Sequence, residues 1–167
     1  MDILPLAYHI TFTCYGARLH GDESGTVDPE HNFPGTPFIP HTPKLAKIKQ
    51  SRMKQKTYEM DATRRRAVLE ALKETCSYRN WLLLAAHIRP KHVHVVVQAA
   101  TEPGKILNDL KVYASRKLNQ MAIDSPNRKR WARHGSTRYL WKQGDMESAV
   151  HYVVYEQGEP MEVYEHK

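Results

Sequence analysis

The 167-residue chain has only two cysteines, Cys14 and Cys76, and no Cys-x-x-Cys pair. That scarcity argues against a disulfide framework or a cysteine zinc site and fits a reducing compartment. No apolar run approaches the roughly 20 residues that a membrane span needs. The N-terminus lacks the basic start and long apolar stretch of a signal peptide, so a cytoplasmic protein is expected. Internal repeats and low-complexity tracts are also missing. Acids are scarce in the middle of the chain. Residues 44–66 carry nine Lys/Arg against Glu59 and Asp61, and residues 105–138 carry nine more against Asp109 and Asp124. The acids gather at the ends, five to one base over residues 1–43 and six to one over residues 144–167. With a formal net charge of +7, basic residues confined to the middle read as a face for a polyanion. The bland alternative is a solvated lysine-rich surface.

The most informative stretch runs from Ala86 to Gln98. Residues 92–98, His-Val-His-Val-Val-Val-Gln, are β-branched and alternate, the pattern of a buried strand. Strand side chains alternate faces, so His92 and His94 project together and could converge on one divalent ion. Two satisfied histidines on a half-buried sheet would look the same. A preceding strand, Trp81 to Ile88, enters through Arg89-Pro90-Lys91 and makes a hairpin.

The length suits one domain, residues 1–167, of α+β class. Leu6 to Tyr15 reads as a strand with Tyr8, Ile10, Phe12 and Cys14 on one face and His9, Thr11 and Thr13 on the other. Residues 20–60 are turn chemistry, repeated prolines and a basic run, and form a long insertion. Lys44 to Lys56 within it could make a short helix. Asp61 is a fitting N-cap for a helix over 62–79, with Val68, Leu69, Leu72 and Cys76 at helical spacing. A second helix is expected over about 105–121, a fourth strand over Ser136–Trp141 and a last helix from Asp145 or Ser148 to about Gln157, stopped by Gly158 and Pro160. This βαββαβ order predicts a ferredoxin-like antiparallel sheet with an appended C-terminal helix. The first and third strands would be central neighbours, and the helices would cover one sheet face.

Candidate nucleic-acid contacts follow from charge. They are Arg52, Lys54, Arg64, Arg65 and Arg66 in the first basic segment, and Lys111, Arg116, Arg130, Trp131, Arg133 and Arg138 in the second. Arginines interleaved with an aromatic, as around Trp131, suit a single strand, whose phosphates need charge and whose bases need a flat surface.

With His92-Val93-His94, the preceding Arg89-Pro90-Lys91, and the helix Ala149-Val150-His151-Tyr152-Val153-Val154-Tyr155-Glu156-Gln157 in view, the chain resembles the HUH single-tyrosine transposases. These are the insertion-sequence 200/605 type and the related REP-associated tyrosine transposases. The resemblance covers residues 6–15 and 61–158. It implies that Tyr152 attacks a phosphodiester in single-stranded, hairpin-containing DNA to give a 5′-phosphotyrosine. It also implies that His92 and His94 hold Mg²⁺ or Mn²⁺. The family commonly adds a glutamine four residues after the tyrosine as third ligand. Here Glu156 stands at that place and Gln157 follows it. On a continuous helix Glu156 lies about 40° and Gln157 about 140° from Tyr152. Geometry favours Glu156 and family chemistry favours Gln157, so both are candidates. Tyr155 and Tyr113 are rival nucleophiles. His87 and His134 are expected to be structural or to touch phosphate. The resemblance allows a monomer or a homodimer.

Three other classes share some of these features. A non-catalytic ferredoxin-like nucleic-acid-binding protein would also be basic and aromatic, but it does not need two same-face histidines and the RNP-type strand is absent. A metal-dependent phosphoesterase would want more carboxylates near the hairpin. A replication-initiator or relaxase nickase shares the tyrosine chemistry, and chain length with a tyrosine after the histidines favours the transposase.

Overall fold

The computed structural model describes residues 3–17 and 53–167. Arg52 and nearly all of the expected Lys44–Lys56 helix therefore lie outside the described residues. Five strands and three helices follow in order: β1 (Ala7–Thr13), α1 (Ala62–Arg79), β2 (Leu82–Ile88), β3 (His92–Gln98), α2 (Pro103–Gln120), β4 (Ser136–Leu140), α3 (Gln143–Tyr155) and β5 (Glu162–Glu165). The sheet order is β4-β1-β3-β2-β5, and every neighbouring pair is antiparallel. The first four strands have the expected ferredoxin-like order, with β1 and β3 in the centre.

The alternation in β1 and β3 sorts two cores onto the two sheet faces. Tyr8, Ile10 and Phe12 of β1, with Cys14 just after it, join Val93, Val95 and Val97 of β3 beneath α1 and α2. From α1 come Val68, Leu69, Leu72 and Cys76; from α2 come Ile106, Leu107, Leu110, Ala114 and Leu118. The opposite face is smaller. There Ala7, Ala85, Val96 and Leu140 pack against Ala149, Val153 and Val154 of α3. The two core helices cover one face, as the ferredoxin-like order implies, and the appended α3 covers part of the other. The reason is that α3 carries its own short apolar stripe, enough for a second layer.

Three departures from the expected elements have local causes. β5 pairs with β2 from Ala85↔Glu165 to Ile88↔Glu162 and went unseen because Glu-Val-Tyr-Glu is a short, acidic strand signal. α3 ends at Tyr155, with Glu156 as its C-cap and Gly158 at φ 82°, two residues short of the expected Gln157. The end of the insertion is not peripheral: Tyr58 and Met60 are buried in the main core. Their amides bond to Tyr15 O and Pro90 O at 2.9 and 2.8 Å. At the start of β4, a Cβ on Gly135 would lie 2.7 Å from Thr11 O. The lack of a side chain there lets β4 approach β1 beside the histidine face.

Candidate active site on the α3 face of the sheet

Register places the polar side chains of β1 and β3 together. Thr11 pairs with His94, Thr13 with His92 and His9 with Val96. His9, Thr11, His92 and His94 therefore share the face that α3 covers in part. His94 is buried, 7% exposed. Its Nδ1 lies 3.1 Å from Thr11 Oγ1 and 3.4 Å from His9 Nε2, and Thr11 Oγ1 is 3.5 Å from His9 Nε2. The His92 and His94 rings are edge-to-face with centroids 5.0 Å apart. Tyr152, in the middle of α3, closes the group. Its ring centroid is 5.9 Å from that of His94 and 5.9 Å from that of His9. It is 42% exposed, so its phenol is held against the histidines and remains accessible.

Burial is the main cause that pushes the His94 imidazole down to about 3, aided by the neighbouring His92 and His9. His94 is thus neutral and carries a lone pair, the form in which imidazole ligates a metal. Its Nδ1 side faces Thr11, which leaves Nε2 as the nitrogen for an outside ligand. His9 is also held low, first by burial and then by the charge of Arg138. Arg138 pairs with His9 across β4 and β1, which puts an exposed guanidinium beside the site.

Neither candidate third ligand is placed on the histidines. Glu156 Oε2 lies 3.7 Å from His151 Nδ1. Gln157 donates its side-chain N–H to Tyr152 O at 3.3 Å. Because the helix stops at Tyr155, the angular objection to Gln157 does not apply, and its amide oxygen stays available next to the Tyr152 turn. Among the described residues no three His, Cys, Asp or Glu side chains are placed to hold a metal. The two imidazoles of His92 and His94 are donors of the kind a divalent ion can take.

The rival tyrosines lie elsewhere. Tyr155 donates to Glu165 Oε2 of β5 at 3.1 Å. Tyr113 sits under Arg116, 5.1 Å from its guanidinium, in a groove between α1 and α2 on the other side of the sheet. His87 is structural. It is fully buried; Nδ1–H donates to Val153 O at 3.0 Å and Nε2 accepts from Met161 N–H at 3.1 Å. Arg89 donates to Glu159 O at 2.5 Å, so both residues pin the α3–β5 connection onto β2.

The basic candidates split into two sets. Arg64 pairs with Asp61 at 2.7 Å and Asp124 at 2.8 Å. Arg130, 4% exposed, pairs with the same Asp124 at 3.1 Å and bonds Asn119 Oδ1 at 2.9 Å. Arg65 donates to Met60 O at 2.7 Å, and Lys111 donates to Ala132 O at 3.0 Å and His134 O at 2.5 Å. Trp131 packs edge-on to Phe12 and donates to Ser115 Oγ at 2.9 Å. These five face inward because each found an internal partner, which charge counting does not reveal. Lys54, Arg66, Arg116, Arg133 and Arg138 are exposed.

Sequence reasoning missed His9 and Thr11 as members of the site. The signal was present, since they share one face of the strand expected beside the strand of His92 and His94.

The sheet thus presents two same-face imidazoles with an accessible tyrosine edge-on to one of them. The family model described as "Transposase IS200 like" matches residues 47–153, and the chain belongs to that family. The match takes in His92, His94 and Tyr152 but stops short of Glu156 and Gln157, and β1 lies before it. Among solved structures, the chain is similar to a REP-associated tyrosine transposase bound to a REP hairpin, with 9% identity and a TM-score of 0.51 over 93% of this chain and 68% of that one. It is also similar to a candidate transposase from Deinococcus radiodurans R1, with 11% identity and a TM-score of 0.47 over 88% of each chain. No curated protein matches the chain.

Proposed function

We propose that this chain cuts and rejoins single-stranded DNA through a covalent bond to Tyr152. Tyr152 Oη attacks the scissile phosphorus and gives up its proton. The bond from phosphorus to the 3′ oxygen breaks, and that oxygen leaves as a 3′-hydroxyl once it gains a proton. The 5′-phosphate remains on Tyr152. In rejoining, a 3′-hydroxyl attacks the phosphotyrosine and restores the phenol, so the energy of the broken bond is kept and no nucleotide is consumed.

His92 and His94 would hold Mg²⁺ or Mn²⁺, with Gln157, or Glu156 in its place, as third protein ligand. The bound ion would withdraw charge from the scissile phosphate. Thr11 fixes the His94 ring by accepting from Nδ1–H, and His9 lines the floor beside Tyr152. Exposed Arg138, Arg133, Arg116, Arg66 and Lys54 draw the polyanion in. The hairpin-bound relative makes a hairpin with an unpaired end the substrate of choice.

The observation that carries this reading is the Tyr152 ring edge-on to both His94 and His9, with its side chain still open to solvent. The test is incubation with end-labelled single-stranded hairpin DNA and Mn²⁺, followed by denaturing electrophoresis. A labelled band at the protein's mass, absent with chelator, is expected; no such band with any divalent ion would refute the proposal.

A further inference from the structure

Trp131 was the aromatic singled out for base stacking, and its indole is committed to Ser115 and Phe12. Two exposed aromatics follow it on and just after β4, Tyr139 and Trp141, at 46% and 50%. We propose that these two rings are a stacking platform for unpaired nucleobases, placed at the β4 edge of the described sheet beside the Tyr152 site.

β4 is an outer strand, paired only with β1 among the described strands. Its side chains alternate. Ser136, Arg138 and Leu140 point to the α3 face, with Arg138 beside His9. Tyr139 points to the opposite face, where its ring meets the buried Tyr8 edge-on at 5.1 Å. Trp141 follows with centroids 5.9 Å apart and planes tilted by 39°. A base inserted between two rings would need about 7 Å, twice a van der Waals separation. The pair is therefore a continuous surface for bases to lie on.

Charge decides the occupant. Residues 128–142 hold no Asp or Glu, and Lys129, Arg133, Arg138 and Lys142 are exposed. Flat rings in an acid-free basic segment suit a strand with phosphates and exposed bases better than an apolar protein surface. A strand leaving Tyr152 past Arg138 would cross the β4 edge and lay its next bases on Tyr139 and Trp141. This inference deepens the single-strand reading and rests on it.

The experiment compares the full chain with Trp141→Ala, Trp141→Phe and Tyr139→Ala/Trp141→Ala, using oligo(dT) and an abasic strand of the same length. Trp141→Ala should bind oligo(dT) about tenfold more weakly, and the double variant more weakly still. Trp141→Phe should recover most of the loss, and affinity for the abasic strand should not change. Oligo(dT) should quench tryptophan fluorescence in the wild type and far less in Trp141→Ala. Unchanged oligo(dT) affinity in Trp141→Ala, an equal loss on the abasic strand, or loss of self-association in place of DNA affinity would each overturn the platform. Covalent adduct formation is read in the same samples. An intact adduct with no stacking effect removes the platform and leaves the proposed function; a stacking effect with no adduct does the reverse.

Discussion

The ring of Tyr152 stands perpendicular to that of His94, with centroids 5.9 Å apart and planes at 90°. Helix α3 brings the tyrosine and strand β3 the histidine. What holds them in register is a set of bonds on the far side of α3. His87 bridges Val153 and Met161, and β5 lies along β2. The tyrosine is thus presented to the histidines of its own chain.

Removing the hydroxyl that orients His94 should weaken metal binding without disturbing the fold. Thr11→Val takes away the acceptor 3.1 Å from His94 Nδ1 at nearly constant volume. Loss of such an outer partner typically costs about 10- to 100-fold in metal affinity. Calorimetric titration with Mn²⁺ checks this, and an unchanged affinity would show that Thr11 has no orienting role.

His92→Ala should abolish the rise in melting temperature that Mn²⁺ gives the wild type, while the metal-free variant melts close to the metal-free wild type. Binding to the native state alone stabilises by mass action, so the shift reports the ligand directly. A full Mn²⁺ shift in His92→Ala would remove His92 from the ligand set.

Asp124 should prove a stability residue. Burial alone would raise its carboxyl, but hydrogen bonds from Arg64, Tyr58 and Arg130 outweigh it and hold it below the usual value. A carboxyl depressed in the folded state contributes stability that is fully present above its unfolded value. That contribution is lost as pH falls through the lower folded value. Wild-type stability should therefore drop on acidification below about pH 4, and Asp124→Ala should flatten that part of the profile. At neutral pH the variant strands the buried Arg130, at a cost of about 3 kcal/mol. Denaturant unfolding against pH measures both.

Arg138 and Arg130 should separate cleanly. Arg138→Ala should lower DNA affinity and reduce the slope of log affinity against log salt by about 1, with stability unchanged. Arg130→Ala should unfold more readily. The opposite assignment, with Arg130 setting the salt slope in a stable variant, would mean that the buried network opens on DNA.

Much of this was legible in the chain. The period-2 pattern of residues 92–98 gave both the strand and the shared face of His92 and His94. Helical spacing from Val68 to Cys76 gave α1, and the element order gave the sheet. What was not legible depended on partners far away in sequence. Arg64, Arg65, Lys111, Arg130 and Trp131 look like surface residues until Asp124, Met60, the 132–134 backbone and Ser115 come into contact with them. His9 and Thr11 had the right face but gained meaning only through pairing with β3. The turn at Gly158 cut α3 short by two residues, and two residues on a helix are 200° of rotation, enough to make the Gln157 geometry unreadable from the sequence.

The most direct test is peptide mapping of the protein–DNA adduct formed with Mn²⁺, run beside Tyr152→Phe. Phenylalanine keeps the packing and removes only the phenolic oxygen. The account predicts DNA on the peptide containing Tyr152, with fragmentation assigning it to that residue. It also predicts no adduct from Tyr152→Phe, whose melting temperature and DNA affinity stay near wild type. DNA found on Tyr155 or Tyr113, or an adduct of undiminished yield from Tyr152→Phe, would contradict it.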